Sequence, residues 1–389
     1  MKILVVLSRL PYPLDKGDKL RAFYQIKELN KTNEVYLFCL NSGSVSSEAK
    51  QVLESITTGY CIAQFNKIDA LFGVATSFLD STPLETGYFT SSKNISKLKA
   101  YARQIKPDVL FYQFVRTAKY ALKDYPKVLD YQDALSANMS RRATKTSGIT
   151  KLFYLLEAKR LKKYETEMFN LFDHLTIIVD ADRKEIDSPR QEEIVILPNG
   201  VDNAFFEYPQ TEEKRFDIIF SGGMSYSPNV IAASYLVKEI MPLVWKELPN
   251  TSVVIAGANP TSSVKALASD KVTVTGWVDD MKEYYAASKV FIAPMQIGTG
   301  LQNKLLEAMA MRLPCITSSL ANSALGAKAE EELLLANTAQ ENACQILRLL
   351  KDKALADKIA IAGNTFVSQN YRWETYGKQL SQILSSCIK

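Results

Sequence analysis

At 389 residues the chain is too long for one ordinary hydrophobic core, so two domains are the expectation. Its composition, 47% hydrophobic and 23% charged, is that of a soluble globular protein, and no apolar run approaches the length of a membrane span. The net charge of +5 is too mild to point to nucleic acid, though it suits an anionic ligand or a membrane surface.

Residues 2–7, in the opening MKILVVLSRLPYP, read as a buried first strand. A loop, LPYPLDKGDK, and a helix from about Leu20 follow, the opening of an open α/β unit whose ligands collect at the carboxyl end of the strand. Val35–Leu40, Val109–Tyr112, Val128–Tyr131 and Leu175–Val179 read as further strands between helical stretches, which argues for a parallel sheet covered on both faces.

Between Arg141 and Lys163 lie eight basic residues, one Glu and the apolar run LFYLL. This is either a helix resting on an anionic bilayer or a solvated helix covering the first sheet. His174 is the only histidine. It reads as a strand-edge residue rather than a catalytic base.

After the turn-rich LPNGVDNAFFEYPQTEEK the pattern restarts. Asp217–Phe220 reads as a strand, SGGMSYSPN as a glycine turn and Val230–Leu248 as one long helix, with strands at 252–256, 272–275, 289–293 and 315–318. Two strand–turn–helix openings imply two similar doubly wound domains with a ligand cleft between them: 1–200, 201–370, and a last amphipathic helix, 371–389, returning to the N-terminal domain.

The five cysteines are scattered without a CxxC pair, which fits a reducing cytoplasm better than a disulfide framework or zinc site. There is neither a GxGxxG after the first strand nor a GxxxxGK[ST], so dinucleotide and P-loop readings are weak. What stands out is GTGLQNKLLEAMAMRLPCITSS, from Gly298 to Ser319, a glycine-bearing loop running into a short helix and then a strand. A helix start offers free N–H groups and the positive end of a dipole to an anion. Asn303, Lys304 and Glu307 share one face of that helix while Leu305, Leu306, Met309 and Ala310 face inward. A plain surface ion pair is the alternative.

Taken together, LPNGVD, VTGWVDDMKEYYAASKVFIAPM and GTGLQNKLLEAMAMRLPCITSS resemble the retaining glycosyltransferases of family 4, which have the GT-B fold of two Rossmann-like domains. PYPLDKGDKLRAF, VLDYQDALS and RLKKYE look like the subgroup of sugar transferases associated with exopolysaccharide gene clusters. The resemblance spans almost the whole chain. It implies a cytoplasmic enzyme, at most peripheral to the inner membrane face through residues 141–163, that moves a sugar from a UDP- or GDP-type donor to a glycan or lipid-linked acceptor. With no DxD-like site for a metal and no other cofactor, the donor would be held by protein groups alone.

By that resemblance Glu307 would accept the ribose hydroxyls, Gly298, Thr299, Gly300 and Leu301 would offer backbone N–H groups to the β-phosphate, and Lys304 would neutralise the leaving diphosphate. Asn303, Gly222, Gly223, Asn229, Gly257 and Trp277 would complete the donor side. Gly17, Asp18 and Arg21 would face the acceptor, with a turn and helix cap as the alternative. Asp133 or Asp130, at a strand end, would polarise the acceptor hydroxyl or cap the next helix. Many family members carry a glutamate eight positions before the one matched by Glu307, where this chain has Thr299, and an Arg and a Lys that SGGMSYSPN lacks. A nucleotide-sugar epimerase or hydrolase of the same fold, and a non-catalytic glycan- or nucleotide-binding subunit, are the other readings.

Overall fold

The structure, a computed structural model, describes residues 1–211, 213–297 and 300–388. They form two compact units, Met1–Pro198 with Glu374–Lys389, and Asn199–Trp373.

The first unit is a seven-stranded parallel sheet. Its strands are β1 (Lys2–Leu7), β2 (Glu34–Asn41), β3 (Gly59–Gln64), β4 (Val109–Gln113), β5 (Lys127–Asp130), β6 (His174–Ile177) and β7 (Val195–Ile196). The spatial order is β3-β2-β1-β4-β5-β6-β7, so the sheet grows in one direction after β1 and in the other after β4. Successive side chains of a strand point to opposite faces, and KILVVL is apolar on both. Leu4 and Val6 accordingly enter one buried cluster while Ile3, Val5 and Leu7 enter the other. Leu380 and Leu384 of the C-terminal helix, Trp373–Ser386, complete the second cluster beside Ile26 and Leu29.

Five helices of this unit matter below: α1 (Gly17–Asn30), α2 (Lys67–Asp80), α3 (Leu84–Phe89), α4 (Leu135–Thr144) and α5 (Gly148–Leu171). Helix α1 starts at Gly17 rather than near Leu20, with Lys16 as its cap residue, so Asp18 lies in the first turn and is not the cap. Its inward face is polar where it crosses the strand ends. The Arg21 guanidinium donates to both carboxylate oxygens of Asp130, at 2.6 and 3.0 Å, and Asp130 also accepts from Thr176 Oγ1 at 2.9 Å. Both Arg21 and Asp130 are completely buried.

The second unit repeats the plan with β8 (Phe216–Ser221), β9 (Val253–Ala256), β10 (Val272–Val274), β11 (Ser288–Ala293), β12 (Cys315–Thr317) and β13 (Leu334–Leu335), in the order β10-β9-β8-β11-β12-β13 and parallel throughout. Helix α6 (Ser227–Tyr235) follows β8, α7 (Met281–Ala286) precedes β11, and α8 (Asn303–Ala310) follows it. The expected single helix over 230–248 is instead α6, a wider π turn at Leu236–Ile240 and a second α segment from Met241. Pro242 accounts for this: it donates no N–H to the ladder and its ring crowds the carbonyl one turn back, so the helix widens ahead of it.

The two ends of this unit lie side by side. Val201 N–H donates to Tyr371 O at 2.9 Å, and a Cβ on Gly200 would come within 2.3 Å of the Trp373 backbone nitrogen. Only glycine fits there.

Removing Arg21 should expose how much the first sheet relies on its buried pair. Arg21→Met strands the Asp130 carboxylate without its cation, and we expect a loss of about 3–5 kcal/mol in urea-unfolding free energy; a change within about 0.5 kcal/mol, the range of surface substitutions, would show the pair to be incidental.

Candidate functional site

In an open α/β sheet the crevice for a ligand lies outside the carboxyl ends of the strands where their order reverses. In the second unit that point is between β8 and β11. Strand β8 runs into Gly222-Gly223 and β11 into the segment that begins α8.

The floor is made by two backbones that nearly touch. Gly222 and Gly257, just past β8 and β9, both have φ of 144°, and a Cβ on Gly257 would lie 1.9 Å from the Gly222 carbonyl oxygen. Side chains are excluded from both positions. A Cβ on Gly222 would also press on the Asn229 amide at 2.7 Å and the Lys304 ammonium at 3.3 Å. Gly223 meets no such neighbour, so its own surroundings do not require glycine.

Above this floor α8 presents Lys304 and Glu307, three residues apart on one face, both half-buried. Lys304 Nζ donates to Asn229 Oδ1 in the first turn of α6, lies 3.8 Å from Met295 Sδ and stands 4.8 Å from the Phe220 ring centroid. Asn229 is itself fixed, its amide donating to Gly223 O at 3.0 Å. Burial pulls the Lys304 amine down to about 7, and the attraction of Glu307 only partly restores it.

Glu307 is perturbed in the opposite sense. Burial raises its carboxyl to about 7, against the pull of the Tyr285 hydroxyl, Lys304 and Lys282. Tyr285 OH donates to Glu307 Oε2 at 3.0 Å and pairs with Ser221 Oγ at 2.8 Å. Tyr285 is fully buried, so it holds Glu307 from beneath and leaves the remainder of the carboxylate to a visitor. A desolvated ammonium and a desolvated carboxylate, side by side at a switch point, suit a ligand carrying both an anion and hydroxyl donors.

Of the other residues expected here, Asn303 Oδ1 accepts from Asn199 Nδ2 at 3.1 Å and so ties α8 to the segment around Gly200. Gly300 O accepts from the Gln302 amide, and Leu301 is half-buried. Gly298 and Thr299 lie outside the described residues. Trp277 is 63% exposed, its indole N–H donating to Asp279 Oδ1 at 3.2 Å, and Asp280 caps α7 by accepting from Lys282 N.

In the first unit the corresponding crevice lies past β1 and β4, where Ser8, Arg9, Asp18, Lys19, Gln113 and Arg116 line a shallow pocket. Arg116 is its hub. The guanidinium donates to Ser8 Oγ at 2.8 Å, to Glu85 at 3.0 Å and to Asp18 at 3.2 Å, and lies 4.0 Å from the Phe114 ring centroid. Asp18 also pairs with Arg9 at 3.2 Å. Gly17 has open space around it. Arg9 and Arg116 were not singled out in the sequence, although each follows a strand end, which is where the fold concentrates such groups.

Arg21 and Asp130 have no surface to offer a ligand. They pair with each other beneath the surface, whereas an acceptor-side Arg21 and a catalytic Asp130 were expected to face the crevice. Asp133 differs: Oδ2 accepts from Asn138 at 2.9 Å, Oδ1 is buried without a hydrogen-bond partner among the described residues, and burial, followed by the charge of Asp182, raises the carboxyl to about 7. A carboxyl titrating there is matched to proton transfer at neutral pH.

Residues 215–352 match the family model described as glycosyl transferases group 1. A 44.6 kDa protein in the cps region of Klebsiella pneumoniae is 22% identical over 384 residues, covering 95% of this chain and 96% of its own. Among solved structures, sucrose-phosphate synthase of Thermosynechococcus elongatus aligns over 99% of both chains with a TM-score of 0.68 and 15% identity. HepE of Anabaena in complex with UDP aligns over 99% of this chain and 100% of its own, with a TM-score of 0.68 and 14% identity, and TarM over 98% of both with 0.71 and 12%. The chain therefore has the GT-B fold of two Rossmann-like units, and its second unit carries the match to the group 1 glycosyl transferases.

Proposed function

We propose that this protein is a retaining glycosyltransferase of family 4 that moves a sugar from a nucleotide diphosphate donor to a hydroxyl of a glycan or lipid-linked glycan in surface polysaccharide synthesis. The observation that carries the reading is the Lys304–Asn229 and Glu307–Tyr285–Ser221 pair of networks at the β8/β11 switch point. Support also comes from relatives: HepE was solved with UDP and with UDP-glucose, TarM with UDP and alpha-GlcNAc-glycerol, and the Klebsiella protein is encoded in a cps region.

In this reading the ribose hydroxyls donate to Glu307, whose carboxylate Tyr285 holds in place. The diphosphate lies over Gly222-Gly223 against Lys304 and the positive end of α8, with no bound metal assigned. The acceptor oxygen forms its bond to the anomeric carbon on the face from which the phosphate oxygen departs, and the acceptor proton passes to that departing oxygen. Charge builds on the leaving diphosphate as the bond breaks, and Lys304 stabilises it most at that moment. Asp133 is the first-unit carboxyl assigned to the acceptor side.

Glu307→Ala should weaken UDP or GDP binding about tenfold to a hundredfold by isothermal titration, the scale of one or two hydrogen bonds to a charged group. Unchanged affinity and turnover would remove Glu307 from the site. A chain that binds nucleotide yet releases no nucleoside diphosphate in the presence of any glycan acceptor would be a binding subunit instead.

Nucleotide affinity should also peak near pH 7, for two reasons of opposite sign. Hydroxyl donors favour ionised Glu307, so binding releases a proton below its pKa of about 7 and tightens as pH rises toward it. A diphosphate favours protonated Lys304, so binding takes up a proton above about 7 and weakens as pH rises further. Glu307→Gln should abolish the acidic limb alone; an unaltered profile would show that another group titrates.

A further inference from the structure

Helix α2 is built inside out. A helix on a globular surface buries its large apolar side chains and exposes its polar ones, but α2 buries Ala70, Gly73 and Ser77. Ile68, Leu71, Phe72, Phe78 and Leu79 point to solvent, from 62% to 87% exposed. Spacings of three, four, seven and eleven place these residues on one stripe, opposite the small ones. The small face is required by α3: a Cβ on Gly73 would lie 2.0 Å from Gly87 O, and one on Gly87 would lie 1.8 Å from Ser77 Oγ. The two backbones are in contact, which leaves no inward room for a large side chain.

The first turns of α5 extend this apolar surface. Ile149 is 85% exposed, and Leu152, Phe153, Leu155 and Leu156 are exposed as well, with nothing buried before Glu157. The Arg160 guanidinium of α5 stands 5.4 Å from the Phe78 ring of α2, and Glu157 of α5 accepts from Glu85 N of α3 at 3.3 Å, so α5 meets both members of the α2–α3 pair. Glu157, the single acid between Arg141 and Lys163, is thereby withdrawn into the protein. Arg142, Lys145, Lys151 and Lys159 are exposed as well, before, within and just after this apolar run in the chain.

We infer that this surface of α2 and the start of α5 seats the protein on an anionic lipid bilayer, the apolar side chains entering the headgroup boundary and the basic ones meeting lipid phosphates. The inference does not rest on the proposed transfer reaction. No helix among the described residues is long and apolar enough to cross a membrane, so the contact is interfacial. Charge decides the occupant: a twofold pairing of two copies through this surface would set the basic cluster against itself, whereas an anionic bilayer supplies about 1 kcal/mol per basic residue at its surface.

The test is flotation of the full chain with vesicles of phosphatidylglycerol and phosphatidylcholine, against phosphatidylcholine alone. Binding is expected to the anionic vesicles, to weaken in high salt, and to fall about tenfold or more in Leu71→Ser/Phe72→Ser/Leu79→Ser and separately in Lys145→Glu/Lys151→Glu/Lys159→Glu. All six side chains are exposed, so melting curves should be unchanged; should the apolar variant misfold, the charge variant decides. Absence of anionic-vesicle binding, or binding equal in folded variants and parent, overturns the inference. So does a dimer by light scattering that the serine substitutions dissociate while vesicles stay unbound.

Discussion

Taking a charged group out of water costs several kcal/mol unless other groups replace the lost hydration. The two sheets meet that requirement in opposite ways. In the first unit, Arg21 and Asp130 face each other in bidentate geometry and Thr176 takes a further lone pair, so the charges are satisfied where they stand. In the second, Lys304 and Glu307 are desolvated with less in return, and each is pushed toward its neutral form. The first arrangement ties α1 to the ends of β5 and β6. The second leaves electrostatic free energy to be recovered when something binds.

The two sheets and their charge pairs are unequally legible in the sequence. Most strands of both sheets are legible because, like β1, β4, β8 and β11, they carry apolar residues on both faces, a pattern that buried parallel strands require. Strand β3 was missed because GYCIAQ begins with glycine and is only half-buried, and β7 and β13 because two residues carry no periodicity. The face shared by Lys304 and Glu307 could be read from helical spacing. Of their partners, Asn229, 75 residues from Lys304, could be set on the same side only through the family resemblance, and Tyr285, 22 residues from Glu307, was not singled out; the sheet order brings them together.

Asp130 shows the limit from the other side. A carboxylate at the end of a parallel strand is placed correctly for function by the general rule, yet α1 crosses that strand end with Arg21 facing inward and turns the position into core. Its near neighbour Asp133, three residues on, escapes the pairing and keeps an unsatisfied oxygen. The backbone position alone does not separate the two; the side chain that α1 brings over them does.

The close passage of Gly200 against Trp373 has a consequence for how the molecule is put together. Viewed from the first unit, everything from Asn199 to Trp373 is a single insertion whose entrance and exit are adjacent. An insertion with adjacent ends imposes almost no closure entropy on its host, because the host needs only a short gap spanned. The arrangement separates the two parts as units of change: a different module could occupy the same gap, or this one be grafted elsewhere, without altering the register of the first sheet.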